Sequence, residues 1–327
     1  MQEITRDILV SRACELLENG TVDRVLGWKS GEFAYDVTPS VFRSCDELKA
    51  DFVWNGFCGA NFSKYLIKET LKSDAKVLVF LKPCDTYSFN QLLSEHRFNR
   101  EKVYAVGVPC GGMLDPKLLK DKAEGILSVT DGEEVSIETL YDGVISVKRE
   151  ELLPDRCVCC KSKKHVAYDE LLGEEGEVIE TERFDRVAEL EKMSADERFA
   201  FWQNELSRCI RCNACRDVCP ACTCEKCVFD NPNSSLENKA PANEFEEKMF
   251  HIIRAFHVAG RCTDCGECSR VCPQSIPLHL LNRKFIKDID EFYGEYQAGA
   301  EVGSRAPIVN YTQDDLEPDQ AVKRGDE

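Results

Sequence analysis

No stretch of this chain approaches the eighteen or so uninterrupted apolar residues of a membrane helix. The best candidates, "VLVFLKP" and "VYAVGVPC", end after a few residues in Pro and Cys. The opening residues, MQEITRDILVSR, carry charges throughout and lack the apolar core of a signal peptide, so a soluble, cytoplasmic protein is expected. A basic excess is also missing. The balance of 42 Lys and Arg against 59 Asp and Glu leaves a net charge of −17, which argues against a nucleic-acid partner, because phosphate binding needs a basic face. Protein partners and small redox molecules remain. The length of 327 residues fits about two domains and is enough for a sizeable core in at least one.

Cysteine, by contrast, is abundant: nineteen residues, seven of them in the nineteen positions of "CIRCNACRDVCPACTCEKC", 209 to 227. A disulfide framework of that density belongs to small exported domains, whereas a reducing compartment keeps thiols free for metal. The spacing C-x2-C-x2-C-x3-C-P runs through Cys209, Cys212, Cys215, Cys219 and Pro220, and repeats through Cys262, Cys265, Cys268, Cys272 and Pro273. In the two-cluster ferredoxin pattern three close thiolates grip one cubane and the fourth cysteine of each run crosses to the other. That assigns one [4Fe-4S] cluster to Cys209, Cys212, Cys215 and Cys272, and a second to Cys262, Cys265, Cys268 and Cys219. Zinc knuckles also use C-x2-C pairs, but zinc accounts for neither the third step, the x3 spacing nor the following prolines.

Between the runs, Phe245, Met249, Ile252, Ile253 and Phe256 recur at helical spacing, with Pro241 ahead and Gly260 behind. Ahead of the first run, Ser194 and Glu197 stand in capping-box order, and Phe199, Trp202 and Leu206 share a face. A helix thus precedes each cysteine run. His251 and His257 read as packing or surface residues, since their offset spreads them over different faces. Cys222, Cys224 and Cys227 fall outside the ferredoxin pattern. Either they are inert thiols beside a cluster or they contribute to a further iron-sulfur centre with a cysteine from elsewhere.

The first half reads differently. "TVDRVLGW", "KVLVFLKP" and "VYAVGVP" are short β-branched strands, and "DILVSRACELLENG" and "FSKYLIKETLKS" are amphipathic helices between them, an α/β pattern. Two strands end alike, in Pro83-Cys84-Asp85 and in Pro109-Cys110-Gly111-Gly112, where open α/β sheets place ligands. "RCVCC" adds Cys157, Cys159 and Cys160. A third [4Fe-4S] cluster on Cys84, Cys110, Cys157 and Cys160 is the expectation, with redox-active or structural thiols as the alternative. Cys14 and Cys45 read as ordinary buried residues, and Cys58 is left open.

The order "NGTVDRVLG", "FSKYL", "VLVFLKPCD", "VYAVGVPC", "CVCC" and "AYDELLGE" resembles the beta-subunit family of coenzyme F420-reducing hydrogenases and F420-dependent formate dehydrogenases, over about residues 4 to 175. The resemblance places Ser63, Lys64 and Tyr65 on a Ser-Lys-Tyr motif of the flavin region, Cys84 and Cys110 on the strand-end cysteines, and Cys157 and Cys160 on the Cys-x2-Cys pair. It implies an iron-sulfur flavoprotein in which FAD takes hydride from a deazaflavin and passes electrons singly to clusters, since a flavin handles either unit. This chain departs from the family in two respects. No glycine precedes Gly20, so the usual glycine-rich phosphate loop is missing, and the ferredoxin motifs follow the domain instead of preceding it.

The expected organisation is an α/β domain at 1–175, an acidic helical linker at 176–207 bridging the domains in solvent, a mainly α-helical dicluster ferredoxin domain at 208–294, and an extended tail at 295–327, either disordered or ordered against a partner. The expected role is an electron-transfer subunit of an anaerobic oxidoreductase complex. Its partners would be subunits of formate dehydrogenase, hydrogenase or heterodisulfide-reductase-like type, with coenzyme F420 or ferredoxin as small partners. A flavin-free adapter that wires catalytic subunits together is the second reading, and a stand-alone ferredoxin-type carrier the third.

Overall fold

Alternating apolar strands and amphipathic helices build the first half of the computed structural model, which describes residues 4–71, 73–176, 182–230 and 244–309. Helix α1 (Arg6–Glu18), capped by Thr5, is followed by β1 (Arg24–Ser30), β2 (Val37–Phe42), α2 (Cys45–Asp51), α3 (Tyr65–Leu71), β3 (Val77–Leu81), α4 (Pro83–Ser94) and β4 (Val103–Gly107). Together with β8 (Glu170–Leu171) these strands form a sheet of order β2-β1-β3-β4-β8, in which only β2 runs antiparallel. Every residue of β3, Val-Leu-Val-Phe-Leu, is buried, as befits a central parallel strand covered on both faces. Pro39 is tolerated because β2 is an edge strand.

After α5 (Pro116–Lys122), the strands β5 (Ile126–Thr130), β6 (Glu134–Thr139) and β7 (Val144–Lys148) form a separate antiparallel sheet. The sequence reading has no counterpart to it, although Asp131-Gly132 and Asp142-Gly143 stand in its two turns, and Asp-Gly between alternating residues is a hairpin signal. Helix α6 (Asp155–Val158) follows and carries Cys157.

The second half is helical: α7 (Asp185–Lys192), α8 (Ala195–Ser207), α9 (Ala214–Asp217), α10 (Glu244–Val258), α11 (Glu267–Arg270) and α12 (Leu278–Tyr293). The capping box on α8 forms as expected, with Glu197 N donating to Ser194 Oγ and Ser194 N donating to Glu197. α7 departs from the solvated bridge. Val187 and Leu190 are buried against Leu280, and Lys287 pairs with Glu191, so this helix packs on α12. α10 forms where expected but turns the other way. Phe250, His251, Arg254, Ala255 and Val258 are buried, while Met249, Ile252 and Phe256 stay exposed. Pro241 lies outside the described residues. Of the tail, residues 297–303 return to α4, where Gly303 N donates to Ser94 Oγ and Gly299, at φ +76, leaves no room for a Cβ against the Tyr87 carbonyl. Residues 310–327 lie outside the described residues. Among the described residues no helix is long and apolar enough to cross a membrane.

Candidate metal centres and the adjoining cleft

The two cysteine runs fold as copies of one backbone. In the first, Arg211 and Asn213 take φ of 55° and 62°, and in the second the equivalent Asp264 and Gly266 take 55° and 67°. Each run then enters one helical turn, α9 or α11, and the two turns pack together. Left-handed residues between right-handed ones turn successive N–H groups to one side, a concavity that suits an anionic cluster. Three of the four left-handed positions are not glycine, which is strain that the surrounding structure holds in place.

Cys209, Cys212, Cys215 and Cys272 line a single cavity with Phe250 and His251. Cys212 is exposed and Ile210 beside it is 59% exposed, so this set opens to solvent. Arg211 N donates to Cys209 Sγ at 3.4 Å, and His251 Nε2 lies 3.2 Å from the same sulfur. Burial, and then the charges of Arg254 and Arg211, push the His251 imidazole down to about 3, so it is neutral. Sequence reasoning passed over this residue as packing. It is buried, but against a candidate ligand.

Cys262, Cys265 and Cys268 face Cys219, the fourth cysteine of the other run. Burial pushes all three thiols upward, and Cys219 adds to the rise on each. The fourth cysteine of each run thus lies near the thiols of the other: Cys272 lines the cavity of Cys209, Cys212 and Cys215, and Cys219 is close to Cys262, Cys265 and Cys268. Cys219 itself is pulled down to about 5, first by the hydrogen bond from Cys222 and then by Arg254. Arg254, buried on α10, donates to Cys215 O at 3.2 Å between the two sets. Among the described residues no three His, Cys, Asp or Glu side chains converge on the spacing of a single bound metal ion.

The third set is made by the sheet. β3 and β4 are neighbouring parallel strands with Leu81 opposite Gly107, so Cys84 and Cys110 emerge side by side at their carboxyl ends. α6 and the turn after it bring Cys157 and Cys160 to the same cavity. Gly112 N donates to Cys110 Sγ at 3.4 Å and Met113 N to Cys157 Sγ at 3.5 Å. Lys82, Arg156, Lys161 and Lys163 also line it, with Asp264, so positive charge predominates around the four thiols. Lys82 is 1% exposed, with Asp85 at 2.8 Å and Ala60 O at 2.9 Å; burial works against its charge, but Asp85 and Cys84 outweigh it and raise its pKa. Cys265 of the second set belongs to the same cavity wall. Cys159 does not line it, and its sulfur is directed to Asp155. Cys58 is fully buried beside Asn55, and burial lifts its thiol to about 12. Cys14 and Cys45 belong to the core of the α/β domain.

A cleft of about 820 Å³ separates α3 from the loop after the first run. Lys64 and Tyr65 line it together with Cys222, Cys224 and Cys227. Lys64 Nζ donates to Arg216 O at 3.2 Å and Cys222 O at 2.9 Å. Ser63 is instead buried in the α/β core, where its hydroxyl donates to Asp85 O. The three spare cysteines have different neighbours: Cys222 bonds to Cys219, Cys227 to Arg216, and Cys224 is exposed near Arg261.

An α/β domain whose strand ends carry cysteine, seated on a duplicated cysteine-turn module, defines an iron-sulfur protein of the electron-transfer class. The family described as the 4Fe-4S dicluster domain matches residues 205–276. The F420-dependent formate dehydrogenase subunit beta of Methanocaldococcus jannaschii is 27% identical, across 90% of this chain and 92% of that one. The F420-dependent formate dehydrogenase 1 subunit beta of Methanococcus maripaludis is 26% identical, across 84% of this chain and 87% of that one. A chain of a solved F420-reducing [NiFe] hydrogenase complex from Methanosarcina barkeri superposes with a TM-score of 0.38 at 14% identity, over 62% of this chain and 86% of that one, too loosely to carry an argument. The resemblance to the F420 hydrogenase and dehydrogenase beta-subunit family, continued into a C-terminal dicluster domain, is therefore borne out along most of the chain.

Proposed function

We propose that this chain passes electrons between the F420, formate or hydrogen side of an oxidoreductase complex and a partner subunit, such as one of heterodisulfide-reductase-like type, through three [4Fe-4S] clusters. The observation that carries the reading is the cavity in which Cys84, Cys110, Cys157 and Cys160 meet, because Cys265 of the next set forms part of its wall. The second set in turn adjoins the first through α9, α11 and Arg254. Three thiol sets thus stand in a row from the sheet to the exposed Cys212, the arrangement a one-electron relay needs. The donor sets fit cubanes: each offers four thiols with buried positive charge or N–H donors to sulfur, and Asp264, the carboxylate that lines the third cavity, is paired with Arg183 and Arg283. When bound, clusters carry single electrons and a flavin exchanges them for hydride pairs.

For FAD, the cleft at Lys64 and Tyr65 supports binding, being large and basic on one side through Lys64, Arg254 and Arg261. The flavin-free adapter is favoured by one observation, the engagement of Ser63 with Asp85 O, which takes that hydroxyl out of any cofactor site. Protein purified without oxygen decides between them. About twelve irons and one FAD per chain are expected, and the same iron without flavin selects the adapter. Lys64→Met should lower the flavin per chain while the iron count stays unchanged. Unchanged flavin would remove the cleft from consideration.

A further inference from the structure

The two cysteine runs share a backbone but differ in what reaches their first sulfur. Cys209 has the Arg211 N–H at 3.4 Å and the His251 Nε2 at 3.2 Å. Its counterpart Cys262 has the matching backbone N–H of Asp264, with the Asp264 carboxylate nearby in place of an imidazole. His251 is held by its helix, is 2% exposed, and stands edge-on to Phe250 with ring centroids 5.0 Å apart. Its other nitrogen, Nδ1, has no hydrogen-bond partner among the described residues. A ligating thiolate only accepts, so the tautomer that fits places the proton on Nε2.

We propose that His251 is a positioning residue for the first cluster: its Nε2–H donates to Cys209 Sγ, favours the more negative reduced form, and so raises the reduction potential of this set. The inference rests on the assignment of Cys209, Cys212, Cys215 and Cys272 to one cubane. One electron enters on reduction, no bond to iron forms or breaks, and the proton stays on Nε2. Hydrogen bonds to cluster sulfur are among the features that set potential, and second-shell donors orient ligands.

The test is an anaerobic redox titration of the full chain followed by electron paramagnetic resonance. In His251→Leu the iron count should hold while one ferredoxin signal becomes about tenfold harder to reduce, about 59 mV for one electron. The other signals should stay in place, and His251→Gln, which keeps an N–H donor at similar reach, should recover most of the shift. Potentials that are unchanged in His251→Leu overturn the proposal. A Leu variant that does not hold iron moves the decision to the unaltered chain with ¹⁵N-labelled histidine. There a weak nitrogen coupling to a reduced cluster supports the hydrogen bond, and either no coupling or one strong enough for direct ligation overturns it. Unaltered protein with no dicluster signal at all rejects the cubane assignment itself.

Discussion

A Glu267→Ala chain is expected to melt on the order of 10 °C below the unaltered protein, from a loss of about 3–5 kcal/mol when a buried ion is left without its partner. Glu267 is fully buried where the dicluster module meets the α/β domain. Its carboxylate receives Arg156 Nη1 at 2.5 Å, Arg270 Nε at 2.7 Å and, across the interface, Asn61 N at 3.2 Å. Burial alone would raise the acid, but Arg270 and Arg156 outweigh it and hold it down to about 2. Truncation leaves both guanidiniums without that carboxylate, and among the described residues Arg156 then bridges to Cys265 O and Gly59 O. Because Arg156 lies beside Cys157 and Glu267 lies between Cys265 and Cys268, the same change should loosen two thiol sets together. Thermal unfolding with iron release followed in parallel checks this: the two should fall in one step. Lys122→Ala, which breaks an exposed pair with Glu151, should leave the melting point where it was. An unchanged melting point in Glu267→Ala would mean that the domains are held by other contacts, such as Lys117 to Cys272 O or Ser88 to Thr263.

The parts of this architecture that were legible in the sequence are those fixed by local chemistry. The cysteine spacing marks out thiols that line one cavity, as Cys209, Cys212, Cys215 and Cys272 do, and the strand-end cysteines followed from short apolar runs that stop in Pro-Cys. Long-range placement was less accessible. That Cys84 and Cys110 lie side by side depends on β3 and β4 being adjacent, which no single strand reveals. The apolar stripe on α10 suggested the wrong buried face, because Phe250 and His251 face the cavity of the first thiol set and Arg254 donates to Cys215 O, and such polar contacts outweigh periodicity. Likewise α7 was acidic enough to read as solvated, yet two apolar residues one turn apart, Val187 and Leu190, are sufficient to seat it. Buried Lys82 and Arg254, and half-buried Arg156, carried no sequence signal beyond their closeness to cysteines, since charges are read as surface until a fold buries them.

Cys110→Ser should lower the iron of anaerobically purified protein from about twelve to about eight per chain, with both ferredoxin signals retained. The expectation follows from where the third set is built. Cys110 stands at the end of β4 with its sulfur accepting from Gly112 N, and the sheet that holds it has a core of its own. Serine keeps the size and loses the thiolate, so the sheet should survive while that set is left with three sulfurs. Cys212→Ser should remove signal from one ferredoxin cluster and leave the third set in place, because that ligand lies at the solvent edge of the other domain. Cys58→Ser should leave the iron count unchanged, since Cys58 is a packed residue beside Asn55 and lines no thiol cavity. Structural or redox-active thiols in place of a third cluster predict a different pattern, about eight irons before and after the Cys110 change. If instead Cys110→Ser strips all iron, the α/β domain and the dicluster module do not fold apart, and the shared wall at Arg156 and Cys265 becomes a condition for assembling every set.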